Sequence, residues 1–198
     1  MKRMISMLLV CAALCGLFAG CGKKQNESTP ATEGSTAPST TQAQGPASAL
    51  EALEAVWNRF AEEEKFWIVG GDHSNPVDNA PGKVNLSAAD YLTSSLLVPE
   101  AQLSAISEAA SMMHAMNGNN FTCGVYKVAD VNGFATAMKE AILGNQWICG
   151  MPEILKITDL GGGFVLVAFG IGDAMDPFFV KLAQAHPQAV TLVDESIA

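Results

Sequence analysis

The chain has 198 residues, with 20 acidic side chains against 11 basic ones and a formal charge of −9. From Ser48 onward the imbalance sharpens to eighteen Asp and Glu against seven Lys and Arg, a formal charge of −11. This excess argues against a nucleic-acid interface and against direct adhesion to anionic lipid.

The first twenty residues form a separate unit. Lys2 and Arg3 supply a positive start, and Met4 to Phe18 is an apolar run of 15 residues, the length of a secretory signal and short for a bilayer span. Leu17-Phe18-Ala19-Gly20-Cys21 follows. It resembles the bacterial lipoprotein signal, in which a small residue precedes a cysteine that is lipidated and becomes the mature N-terminus. The usual Leu three places before that cysteine is replaced by Phe18, with Leu17 one step further back. The resemblance implies removal of residues 1–20, lipidation of Cys21 and a place on the outer face of the bacterial cell membrane. An acyl set at Cys21 would anchor stably, since each buried CH2 contributes about 0.8 kcal/mol. Lys23 and Lys24 would sit on headgroups. The membrane is thus expected as a partner through the lipid anchor only.

Residues 21–47 then form a linker. Gln25 to Ala47 is rich in Ser, Thr, Gln, Ala, Pro and Gly, with only Glu27 and Glu33 charged and no large apolar residue. Such a stretch cannot bury enough surface to offset its chain entropy, so a disordered stalk is expected. Residues 48–198 suit one globular domain.

In that domain Ser48 to Phe66 is expected to be a helix, with Leu50, Leu53, Val56, Trp57 and Phe60 on one face. Phe66 to Val69 reads as a short strand. Gly70 to Lys83 reads as a long irregular loop carrying Asp72, His73, Asn75, Asp78 and Asn79. Long loops in compact domains are often functional, so these five residues form the candidate binding loop. Ser87 to Asp90 resembles a capping box opening a short helix to about Leu96. Pro99 opens another helix with Leu103, Ile106, Ala110 and Met113 inward, stopped at Asn117-Gly118.

The remaining elements run strand (Phe121–Val128), helix (Asp130–Leu143), strand (Glu153–Leu160), glycine turn (Gly161–Gly163), strand (Phe164–Ile171), helix (Asp173–Ala185) and strand (Ala189–Val193). The fold class is therefore α+β: N-terminal helices followed by a ferredoxin-like β-α-β-β-α-β sandwich with an antiparallel sheet, its Phe121 and Phe164 strands central.

Within this half, Gly124-Val125-Tyr126-Lys127-Val128-Ala129-Asp130, Ala137 to Ile142, Gly163 to Ala168 and Gly172-Asp173-Ala174 resemble an uncharacterised group of lipid-anchored proteins of Gram-positive bacteria. The resemblance spans roughly residues 100–185 and implies a surface location and a small α+β domain. It implies no activity.

Of five cysteines, Cys11 and Cys15 lie in the signal and Cys21 carries lipid. Cys123 and Cys149 remain as an even pair, either bridged across 27 residues or left as two thiols. Met112, Met113, His114 and Met116 suggest a soft metal site, but helical spacing would turn them onto different faces. The oxygen-rich Asp72–Asn79 stretch lacks the alternating acids and distal Glu of a calcium loop. Trp57, Trp67 and Trp147 read as core or rim. No metalloprotease, serine-nucleophile or phosphate-loop motif occurs. The expectation is a non-catalytic module binding a protein or a small molecule, with no metal and no cofactor. An enzyme with an unrecognised site and a structural envelope component are the alternatives.

Overall fold

A computed structural model describes residues 45–197. The expected signal, lipidated Cys21 and most of the linker lie outside them. The described part is built on one antiparallel sheet of eight strands. In chain order the elements are α1 (Ala49–Trp57), β1 (Ile68–Asp72), β2 (Asn75–Asp78), β3 (Gly82–Lys83), α2 (Ala89–Ser94), β4 (Ile106–His114), β5 (Phe121–Val128), α3 (Val131–Leu143), β6 (Ile154–Gly161), β7 (Phe164–Gly170), α4 (Gly172–Ala185) and β8 (Val190–Ser196). The α+β class and antiparallel sheet are as expected.

Sheet order is β2-β1-β4-β5-β7-β6-β8, with β3 pairing beside β1 on β4. Both faces are covered. Phe121, Cys123 and Val125 of β5 and Leu166 and Ala168 of β7 pack under α1 and α4. Tyr126 and Val128 of β5 and Val165, Val167 and Phe169 of β7 pack under α2 and α3. Every residue of β7 is buried, which explains its continuous apolar run.

The arrangement corrects the ferredoxin-like expectation. The element order β-α-β-β-α-β is present from β5 to β8, but β8 pairs with β6 rather than returning beside β5. That position is occupied by β4, since strands joined by a short connection pair readily. The crossovers through α3 and α4 therefore both step two strands toward the β8 edge, from strands running in opposite directions. If both are right-handed, as such crossovers nearly always are, their helices must lie on opposite faces. They do. A ferredoxin-like sheet has both helices on one face.

Four other expectations fail. The segment after Pro99 is a 3-10 turn, Glu100–Ala105, followed by β4, not a long helix. Ala109, Ala110, Ser111 and Met112 are all buried, because β4 is covered on both faces. A strand so covered loses its alternation, and its small residues blur the period further. Nor is Gly70–Lys83 irregular: it contains most of β1 and all of β2 and β3. Helix α1 also ends at Trp57 rather than near Phe66, and its N-cap is Ser48, whose hydroxyl accepts from Glu51 N–H at 3.1 Å. Ser87 does not cap α2; it donates through N–H and Oγ to Asn85 Oδ1.

Candidate functional site

Two regions come forward, one expected and one not. The expected region begins at Asp72, the last residue of β1, whose side chain is turned inward and only 3% exposed. Its Oδ1 accepts from Ser74 N–H at 2.9 Å and Ser74 Oγ at 2.6 Å, and its Oδ2 accepts from Asn85 N–H at 2.8 Å. One carboxylate thus clasps the β1–β2 turn to the segment entering α2. Ser74's hydroxyl, then the Asn85 amide, hold the Asp72 carboxyl below its ordinary range, and burial opposes them only in part.

Behind it, Tyr91 of α2 lies 3.0 Å from Ser111 Oγ, which donates to Gly71 C=O at 2.7 Å. Since the Ser111 proton is committed, Tyr91 is the donor in the first bond. Burial pushes the Tyr91 hydroxyl up, with the Asp72 charge adding to it and the Ser111 hydrogen bond opposing. His73 stands edge-on to the Tyr91 ring, centroids 4.9 Å apart. Asp72, His73, Ser74, Asn85, Ser87 and Tyr91 line a cleft of about 400 Å³.

Of the five predicted loop residues, the cleft brings together Asp72 and His73. Asn75 is the register partner of Asp72 across the hairpin but does not line the cleft. Asp78 and Asn79 lie at the far end of β2. There Asn79, at φ 57, donates N–H to Ile68 C=O and accepts from Trp57 Nε1 at 3.1 Å. The cleft has a fixed anion with all its near donors satisfied and a tyrosine held neutral.

The clasp has a pH signature. A carboxyl depressed in the native state contributes stability above its unfolded pKa of about 3.9, and that contribution is lost as pH falls through the lower native value. Asp72→Asn would face an amide toward the Asn85 N–H. It should cost about 1–3 kcal/mol at pH 7, the gap to wild type narrowing toward pH 3. Urea unfolding at both pH values checks this. An equal gap at both would show that the charge of Asp72 is not what stabilises the turn.

The unexpected region lies at one end of the sheet. Pairing of Ile68 with His114 and donation by Ala115 N–H to Trp67 C=O bring Trp67 beside Met116. The loop before β6 is pinned next to them. Asn117 Nδ2 donates to Cys149 C=O at 3.0 Å, and Asn119 Nδ2 donates to both Ile148 C=O and Gly150 C=O at 2.7 Å. These two amides fix a turn that contains Cys149 at φ 64 and Gly150 at φ 111. The Asn117–Asn120 run is thus a clamp for a distant loop, where a helix stop was expected. These segments carry four exposed apolar side chains to one end of the sheet: Trp67 (56%), Met116 (78%), Ile148 (79%) and Met151 (50%). Exposed singly such residues are ordinary, but four on one end mark a candidate contact surface.

At the opposite end of β5 the domain takes in its N-terminal segment. Gly45 packs against the Gly161–Gly163 turn, and Ala49 N–H donates to Glu108 Oε1, whose partner is Lys127. The eight residues of β5 put about 25 Å between these ends.

Cys123 and Cys149 are free thiols, the first buried and the second exposed. The bridge allowed for between them is not formed. The Cys149 loop does reach across to the β4–β5 connection, but through the asparagine amides. Met112 is buried beneath α1, Met113 packs on the other face and Met116 is exposed, so the methionines diverge. Among the described residues no group of three or more His, Cys, Asp or Glu is placed to hold a metal ion.

No protein-family model, curated protein or solved structure matches this chain.

Proposed function

We propose that this protein is a lipid-anchored module on the outer face of a bacterial membrane, and that its globular domain binds a protein partner without catalysing a reaction. The signal pattern ending at Cys21 and the polar stretch behind it support the address. The observation that carries the binding role is the apolar cluster of Trp67, Met116, Ile148 and Met151, set at the end of the sheet opposite the entry of the N-terminal segment. A tether at one end leaves the other free for a partner. The locked Asp72 and Tyr91 support recognition over catalysis.

A photo-crosslinking residue in place of Met116, in the full chain on intact cells, tests the reading. A discrete protein adduct is expected at 116 and none with the same probe at Val180 on the outer side of α4. Cys21→Ala should move the chain from the membrane to the medium. Adducts of equal yield at both positions would remove the binding end, and retention of Cys21→Ala on the membrane would remove the anchor.

A second reading has its own observation. The cleft of about 400 Å³ beside Asp72 and His73 has the size and mixed polar lining of a small-ligand site.

A further inference from the structure

Resting on the reading of the Trp67–Met151 end as a docking surface, we infer that its occupant is a polypeptide segment combining apolar and basic side chains, one apolar side chain entering a socket beside Ile148. The charge follows from what surrounds the end. The acidic turn Glu62–Glu64 immediately precedes Phe66 and Trp67. The start of α4 is tied to the same end by Ile171 N–H donating to Asn120 C=O and by Gly172 N–H donating to Glu153 Oε2 at 2.9 Å, which places exposed Asp173 and Asp176 there. Two nearby cations are already engaged, Lys65 with Glu62 at 2.6 Å and Lys181 with Glu64 at 2.8 Å; Arg59 is exposed and unpaired among the described residues. His114 Nδ1 accepts from Met116 and Asn117 N–H. Among the described residues, the charges left open around this end are Glu63, Asp173 and Asp176 against the single cation Arg59, a net negative. A second copy of this domain, itself at −11, would bring like charges together. An anionic bilayer would be repelled in the same way.

The socket is a cavity of about 260 Å³ whose lining is mixed: apolar Leu97, Met113, Trp147 and Phe169 together with serine, threonine and asparagine side chains. It adjoins the cluster through Trp147, next in sequence to Ile148, and through Asn119, which holds the Ile148 carbonyl. A cavity of about 150 Å³ holds benzene, so this one admits a Leu, Met or Phe side chain. Trp147, which lines it, also carries an indole Nε1–H that is itself buried and has no acceptor among the described residues. Leu97 at φ 56 and Cys149 at φ 64 hold the surroundings in strained backbone, as at ligand clamps.

The test uses the full lipidated chain in neutral phosphatidylcholine nanodiscs, with empty discs as the blank, and three fluorescent peptides alternating Lys with Leu, Glu with Leu and Lys with Ser. Anisotropy should show the Lys/Leu peptide binding about tenfold or more tighter than either other peptide. Its advantage over Glu/Leu should shrink at high salt, and Ile148→Asp, at an exposed position, should weaken it by a similar factor. Equal binding of Lys/Leu and Glu/Leu, both lost in Ile148→Asp, would overturn the basic partner while leaving the docking end in place. Failure of both Leu peptides would overturn the docking end itself. Equal binding of Lys/Ser, or indifference to Ile148→Asp, would overturn the inference by placing the attraction elsewhere. A concentration-dependent dimer abolished by Ile148→Asp would make a second copy the occupant and overturn it too.

Discussion

Phe121→Ala is expected to cost about 3–5 kcal/mol, the range for truncating a fully buried phenylalanine. Phe121 opens β5 with no exposed surface. It meets Phe66 edge-on at 5.2 Å and Phe178 of α4 at 5.1 Å, so its ring joins three segments distant in sequence. Phe66 in turn packs on Trp57 at 5.5 Å and stacks on His114 at 6.0 Å. Since His114 holds the amides of Met116 and Asn117, the cavity left by Phe121 would loosen the floor of the apolar end as well as the core. Urea unfolding at neutral pH should show the loss as a lower midpoint with an unchanged slope. Phe179→Ala, truncating a half-buried ring that meets Phe178 at 5.6 Å, should cost less. A Phe121→Ala loss under about 1.5 kcal/mol would mean that α4 closes over the gap and that the aromatic bridge is not the support described.

From Phe121 to the C-terminus the elements were legible in the sequence, because each carries its own punctuation. Asp130 caps α3 by accepting from Gly133 N–H at 2.9 Å, and three glycines at positive φ, Gly161, Gly162 and Gly163, make the β6–β7 turn. What failed there was strand order, which depends on β4 having claimed the outer side of β5. β4 itself was read as a helix, so the competitor for that edge was missing from the sequence argument. A sheet covered on both faces removes the very alternation by which a strand is recognised, and Ala109-Ala110-Ser111-Met112 is where that happens.

The candidate sites divide in the same way. Asp72 and His73 were found because polar residues crowd one loop of the sequence, although the reason they meet Tyr91 is the β1–β2 hairpin, which was not foreseen. The apolar end was not found. Its four side chains come from positions 67, 116, 148 and 151, and they adjoin only through the β1–β4 pairing and the amides of Asn117 and Asn119. A side chain that will accept a loop from 29 residues away looks in sequence like any asparagine after a helix.

Gly71→Ala should be strongly damaging at the β1–β2 edge. Gly71 has φ 78, and a Cβ there would stand 2.2 Å from Asn75 C=O and 3.4 Å from Lys83 C=O, both backbone atoms that cannot swing away. Left-handed backbone in a non-glycine residue costs about 1–3 kcal/mol and overpacking about 1–3 kcal/mol more, so about 2–6 kcal/mol is expected. Gly118→Ala, whose Cβ would approach only side-chain atoms, Thr122 Oγ1 at 3.3 Å and Met113 Sδ at 3.9 Å, should stay within about 1 kcal/mol. Because β2 and β1 lie at the sheet edge, the loss should fall on them first. Amide exchange should accelerate through residues 68–78 while β5 and β7 keep their protection; uniform acceleration would show that the edge and centre unfold as one unit. The variant also separates the two candidate sites. Gly71 C=O is the acceptor that fixes Ser111 and thereby Tyr91, so the cleft should open. The apolar end is held by the Asn117 and Asn119 amides and by the pairing of Ile68 with His114, three residues away from Gly71 along β1. A Gly71→Ala chain that still binds the Lys/Leu peptide would place recognition at the apolar end, whereas loss of that binding with residues 114–119 still protected would return it to the cleft.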